Sequence, residues 1–75
     1  METVIVKNIT VLEVFFDDLG IGVNAVSSRN FSALFPLYVI KSSTDLLSQL
    51  NAGNIVLNDG ERDLKKIESQ EFFIL

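Results

Sequence analysis

Seventy-five residues with ten acidic and six basic side chains, a net charge of −4 and neither Cys nor His make one small domain. They exclude disulfides, thiolate or imidazole metal ligands and a histidine general base. At 48% hydrophobic content with six Phe, so short a chain should rely on a dense core or a partner's surface, because such a core leaves only about 3–5 kcal/mol of net stability.

Val4 and Val6 alternate with Ile5 and Lys7 as a strand rich in β-branched residues. Asn8 to Thr10 is a turn or the passage into the next strand, and Val11 to Phe16 is predicted as a strand buried on most of both faces. Asp17-Asp18-Leu19-Gly20 closes it with a turn. Ile21 to Val23 is briefly extended, Asn24 to Ser28 is a polar connection, and Arg29-Asn30-Phe31 is extended again. Ser32 caps a short helix over Ala33-Leu34-Phe35, which Pro36 limits to a turn or two of α or 3₁₀ form. Leu37 to Ile40 continue as an apolar bridge, either strand or packed coil.

Ser42 or Ser43 caps the next helix, whose Leu46, Leu47 and Leu50 share one face and which Gly53 stops in the left-handed position. Ile55-Val56-Leu57 forms a strand. Asp59-Gly60 is the strongest two-residue hairpin signal, and a type I′ turn there sets Asn58 against Glu61 and Leu57 against Arg62. Asp63 then caps a last helix carrying Leu64, Ile67, Glu71 and Phe72 or Phe73. The fold class expected is α+β: one domain over residues 1–75, with short, mostly antiparallel strands, two or three short helices and an Asp-Gly hairpin.

The chemistry is sparse. The acidic cluster Asn58 to Asp63 suggests a calcium loop only superficially, because it lacks a bidentate Glu at the twelfth position and holds Arg62 as an internal counter-ion. Turn and cap roles account for each residue. Asp17 and Asp18 are neighbours on a turn, expected to point apart into solvent rather than to divide acid and base roles. No His or buried Lys is at hand to activate Ser27, Ser28, Ser42, Ser43, Ser48 or Ser69. Gly20-Ile21-Gly22 lacks the third glycine and following helix of a phosphate loop. An enzyme is therefore not expected, and no catalytic, cofactor-binding or metal-ligating residue is assigned.

Partners are constrained in the same way. The bases Lys7, Arg29, Lys41, Arg62, Lys65 and Lys66 are scattered along an acidic chain, which argues against a nucleic-acid footprint. Met1-Glu2-Thr3 is acidic and Lys7 and Asn8 interrupt the apolar run behind it, unlike a secretory leader. No stretch approaches the ~20 apolar residues of a membrane span, so the expectation is a soluble chain with no membrane partner.

The aromatic residues point to surfaces. Phe15 and Phe16 must face opposite sides of a strand. Phe72-Phe73-Ile74-Leu75 is an apolar tail that either docks on the core or makes a subunit contact. The interface candidates are Phe15, Phe16, Tyr38, Phe72, Phe73, Ile74 and Leu75.

One run of motifs carries a resemblance. Asp18-Leu19-Gly20-Ile21, a polar extended stretch, a short apolar helix, Asp45-Leu46 with Leu50-Asn51-Ala52-Gly53, then Val56-Leu57-Asn58-Asp59-Gly60 and Asp63-Leu64 follow in order over roughly residues 11–73. The pattern resembles a small structural domain of tailed-bacteriophage virion proteins, found in fibre, neck or capsid-associated components. Gly22-Val23-Asn24-Ala25 and Lys65-Lys66 depart from it, at a turn and a helix start respectively. The resemblance implies a non-enzymatic virion protein, assembled in the host cytoplasm, that contacts other virion structural proteins and copies of itself. The alternative is a small acidic intracellular inhibitor that binds a host enzyme or mimics nucleic acid, which would require one contiguous acidic face. A metal-binding module is a third possibility.

Overall fold

The computed structural model describes residues 1–73. Among the described residues, five short strands form two antiparallel sheets, joined by a 3₁₀ turn and three helices, an α+β fold as expected. β1 (Ile5–Asn8) is central in the larger sheet, flanked by β4 (Ser28–Asn30) and β5 (Ile55–Asn58). β2 (Val14–Phe16) and β3 (Ile21–Val23) form a separate hairpin. The register Val6↔Leu57 and Asn8↔Ile55 turns alternate residues of β1 and β5 inward. The core comprises Val4, Val6, Ile55 and Leu57 from the larger sheet and its lead-in, Val14, Phe16 and Val23 from the hairpin, and Phe31, Ile40, Leu46 and Leu50. Phe31 is its aromatic centre, with its ring edge-to-face on Phe16 at 5.5 Å and 88°.

α2 (Thr44–Asn51) follows its sequence signals closely. Ser43 is the N-cap, its hydroxyl accepting from the Leu46 N–H at 3.1 Å, and Gly53 has φ +81° just beyond the end. Leu46 and Leu50 are buried and Leu47 is partly so.

Four local expectations are corrected. Val11 and Leu12 belong to a loop, and β2 begins only at Val14, because polar contacts described below hold residues 9–13 out of the ladder. The short helix is of the 3₁₀ form the sequence allowed, but it covers Phe31–Ala33 rather than residues 33–35, and the Ser32 hydroxyl accepts from the Val4 N–H at 3.1 Å instead of capping it. Leu37–Lys41 is a helix, α1. Pro36 ends the turn before it and also starts this helix, its carbonyl accepting from Val39 N at 3.0 Å.

The fourth correction is the Asp-Gly hairpin. The loop is longer than two residues: Asn58 bridges to Asp63, and the Leu64 N–H donates to the Leu57 carbonyl at 2.8 Å. Asp59 Oδ1 accepts from both Glu61 N and Arg62 N, at 2.9 and 3.0 Å, so the side chain organises a wider loop than type I′ geometry allows. Asp63 therefore lies in the bridge and does not cap a helix. α3 (Lys66–Phe72) starts after Lys65, where Glu68 reaches back to the Lys65 N–H at 3.0 Å. α2 and α3 pack on each other and both pack on β5.

Candidate protein-contact surface

The end of β1 builds a surface. Asn8 is 2% exposed, yet its side chain is fully partnered. Its Nδ2 donates to the carbonyls of Leu12 at 2.8 Å and Val23 at 2.9 Å, with Asn24 O at 3.2 Å. Its Oδ1 accepts from Thr10 N at 2.8 Å and the Thr10 hydroxyl at 2.7 Å. One buried amide thus fixes the loop of residues 9–13 against the end of β3. A buried polar network of this kind rigidifies what it joins, since each broken bond would leave a desolvated group unpaired.

The fixed loop turns apolar side chains outward. Ile9 is 56% exposed, Val11 83% and Leu12 73%. Beside them, Val26 donates its N–H to the Thr10 carbonyl at 3.0 Å and is itself 76% exposed. Val26 has φ +52°, among the described residues the one non-glycine position in the left-handed region. A β-branched side chain is especially disfavoured there, so the surrounding contacts hold a strained residue in place with its methyl groups in solvent.

Phe15 extends the surface along β2, with 51% exposure. Its partner across the hairpin is Gly22, where an added Cβ would lie 3.1 Å from Phe15 Cδ2 and 3.1 Å from the Val14 carbonyl. The glycine leaves room for the ring to lie over the neighbouring strand. Val11, Leu12 and Phe15 line one shallow hollow with Gln49 and Asn54; Ile9 and Val26 line another with Lys7 and Ser28. The two lie side by side in the chain, Thr10 of the first accepting from the N–H of Val26 of the second at 3.0 Å. Charge is confined to Glu13 and Lys7, and Lys7 is paired with Asp63 at 3.0 Å.

The candidates read from sequence fall in different places. Phe15 is on the surface just described. Phe16 is 0% exposed and packs on Phe31, so it offers nothing to a partner: alternation along β2 puts one of the pair out and the other in. Tyr38 is exposed on α1 and does not line either hollow. Phe72 and Phe73 are partly buried against the core, and the Lys41 ammonium sits 5.5 Å from the Phe72 ring centroid. Ile74 and Leu75 lie outside the described residues. Sequence reasoning missed Ile9, Val11, Leu12 and Val26. The available signal was Asn8-Ile9-Thr10, a polar–apolar–polar interruption that ends one strand before Val11 can begin another.

The acidic loop after β5 is a charge-paired structural element. Hydrogen bonds from the Arg62 and Glu61 backbone hold the Asp59 carboxyl below its ordinary range, and the Asn58 amide and Lys7 ammonium do the same for Asp63. Arg62 forks onto Glu68 at 2.7 and 3.2 Å, which with the Lys65 N–H lowers the Glu68 pKa from 4.5 to about 2. Among the described residues no group of three His, Cys, Asp or Glu is placed to hold a metal ion, and no helix is long and apolar enough to cross a membrane. Comparison with protein-family models, with curated proteins and with solved structures finds no match for this chain.

Proposed function

We propose that the protein is a non-enzymatic structural domain that acts through protein–protein contacts in a symmetric assembly. The setting proposed is a bacteriophage virion, as a capsid-associated, neck or fibre-attachment component. The observation that carries the contact role is the apolar loop surface, held rigid by Asn8 and completed by the strained Val26. A loop whose backbone is already fixed by a buried polar network loses little backbone entropy when a partner covers its apolar side chains. The virion setting rests on the order of motifs from Asp18 to Leu64. The acids favour this reading over an acidic inhibitor: Asp18, Asp45, Asp59, Asp63 and Glu68 direct oxygens to their own chain's turns and helix starts.

Mass spectrometry of purified phage particles, with chemical cross-linking, tests the proposal. The expected result is this chain at a fixed stoichiometry, cross-linked to structural neighbours. Its absence from particles, with recovery bound to a host enzyme, would support the inhibitor instead.

A further inference from the structure

We propose that the surface formed by Ile9, Val11, Leu12, Phe15 and Val26 pairs with the same surface on a second copy of the chain across a two-fold axis. The pairing rests on the contact role above and specifies its first partner. Area is the first argument. The exposed fractions of these five side chains amount to on the order of 500 Å² of apolar surface, at the upper end of what a monomer leaves uncovered. A standard interface buries about 800 Å² per partner, and in homodimers about 65% of that is apolar, which again comes to about 500 Å². The patch is thus large enough to form the apolar centre of one stable dimer.

Composition and charge select a like copy. Interfaces between transient, unlike partners are no more apolar than ordinary surface, whereas homodimer contacts are enriched in apolar residues. Each copy carries a net charge of −4, so self-association must keep like charges apart. The patch limits the repulsion: of the two charged residues lining its hollows, Lys7 is already neutralised by Asp63, which leaves Glu13 beside the Phe15 ring as the charge that the two-fold must hold away from its copy. A two-fold contact also sets the patch against itself with no unused surface left to propagate a fibre. Preorganisation completes the argument, because the Asn8 bonds place Leu12 and Val11 before any partner arrives.

Sedimentation velocity of the full chain from low micromolar to millimolar concentration tests this, with three variants. Leu12→Asp puts a charge at the patch centre. Val26→Gly removes apolar contact surface and also releases the left-handed strain, so it weakens pairing while leaving the monomer at least as stable. Tyr38→Asp alters an exposed aromatic outside the patch. We expect a reversible dimer whose dissociation constant rises at least about tenfold in the first two variants and stays unchanged in the third. Circular dichroism and a thermal melt report the fold of each. A monomer throughout the range, or a dimer that Leu12→Asp and Val26→Gly leave intact, would overturn the pairing. Recovery of the chain in particles would still stand in that case, so failure here is distinct from failure of the contact role.

Discussion

Asp18 and Asp45 cap each other's backbone: the Asp18 N–H donates to Asp45 Oδ2 at 3.0 Å, and the Asp45 N–H donates to Asp18 Oδ2 at 3.3 Å. Ser43 joins the exchange, its hydroxyl lying 2.9 and 3.0 Å from the two Asp18 oxygens while it accepts from Leu46. The turn after β2 is thereby bound to the N-terminus of α2, where the helix dipole also favours negative charge. Asp18 was expected to point into solvent on its turn. It is instead a remote cap, and this lock holds the β2–β3 hairpin that displays Phe15.

Removing half of the lock should be costly. We expect Asp18→Ala to lower unfolding stability by about 1–2 kcal/mol, since the Asp45 N–H and Ser43 hydroxyl both lose a partner. The double variant with Asp45→Ala should lose about 0.5–1 kcal/mol less than the sum of the single losses, because the two residues act as one unit. Urea denaturation of the four proteins gives the coupling; strict additivity would refute the reciprocal cap.

Asn8→Ala should be among the most damaging single substitutions. It leaves the buried Val23 carbonyl and the part-buried Thr10 N–H without their partner and removes one of two donors to the Leu12 carbonyl, and we expect a loss of about 1–3 kcal/mol. Amide hydrogen exchange should accelerate first at Thr10 and Leu12. Uniform acceleration across the sheet would mean that Asn8 is only a core-packing residue.

How far the fold could be read from sequence follows from the range of each interaction. α2 was readable end to end because Ser43, its leucine face and Gly53 are local signals within eleven positions. The Asp59-Gly60 pair suggested the wrong loop because Asp59 captures two following N–H groups, an outcome that turn propensity does not encode. Pro36 signals the end of one helix in the sequence, and in the structure it also begins the next. The contact surface was least readable of all. Val11 and Leu12 have the composition of a core strand, and long-range bonds hold that loop on the outside: Asn8 to Val23 and Asn24, fifteen and sixteen residues away, Val26 to Thr10, and Ile9 to Asn54.

Strain at Val26 has a direct readout. Val26→Gly should raise stability by about 0.5–1 kcal/mol, less than the full left-handed penalty because glycine also frees the unfolded chain. A thermal melt that falls with this substitution would show that the Val26 side chain contributes packing that offsets its backbone cost.

Gly22→Ala should act in the opposite direction. The new Cβ would stand 3.1 Å from both the Phe15 ring and the Val14 carbonyl, and only the ring can move aside. We expect a loss of about 1–2 kcal/mol and a shift in the Phe15 ring resonances. Adding Phe15→Ala should restore part of the loss, because the carbonyl contact remains. Full restoration would place all of the strain in the ring.

The acidic loop makes stability depend on pH in the acid range. Glu68 has its pKa lowered from 4.5 to about 2 by Arg62 and the Lys65 N–H, so its folded form binds fewer protons than its unfolded form between those values. Its stabilising contribution is complete above pH 4.5 and is lost as pH falls toward 2. Asp59 and Asp63 shift in the same direction. Thermal melts over this range should show stability falling with acidification, with a shallower slope in Glu68→Gln. An identical slope in the variant would mean that the Arg62 pair is too well solvated to matter.

The central claim is that this chain pairs with a second copy through the rigid apolar end of β1, and a concentration series of amide ¹H–¹⁵N spectra tests it most directly. Shift changes and broadening that grow with concentration should be confined to residues 9–15 and 24–28. Spectra that do not change with concentration, or changes centred on Tyr38 and α1, would contradict it.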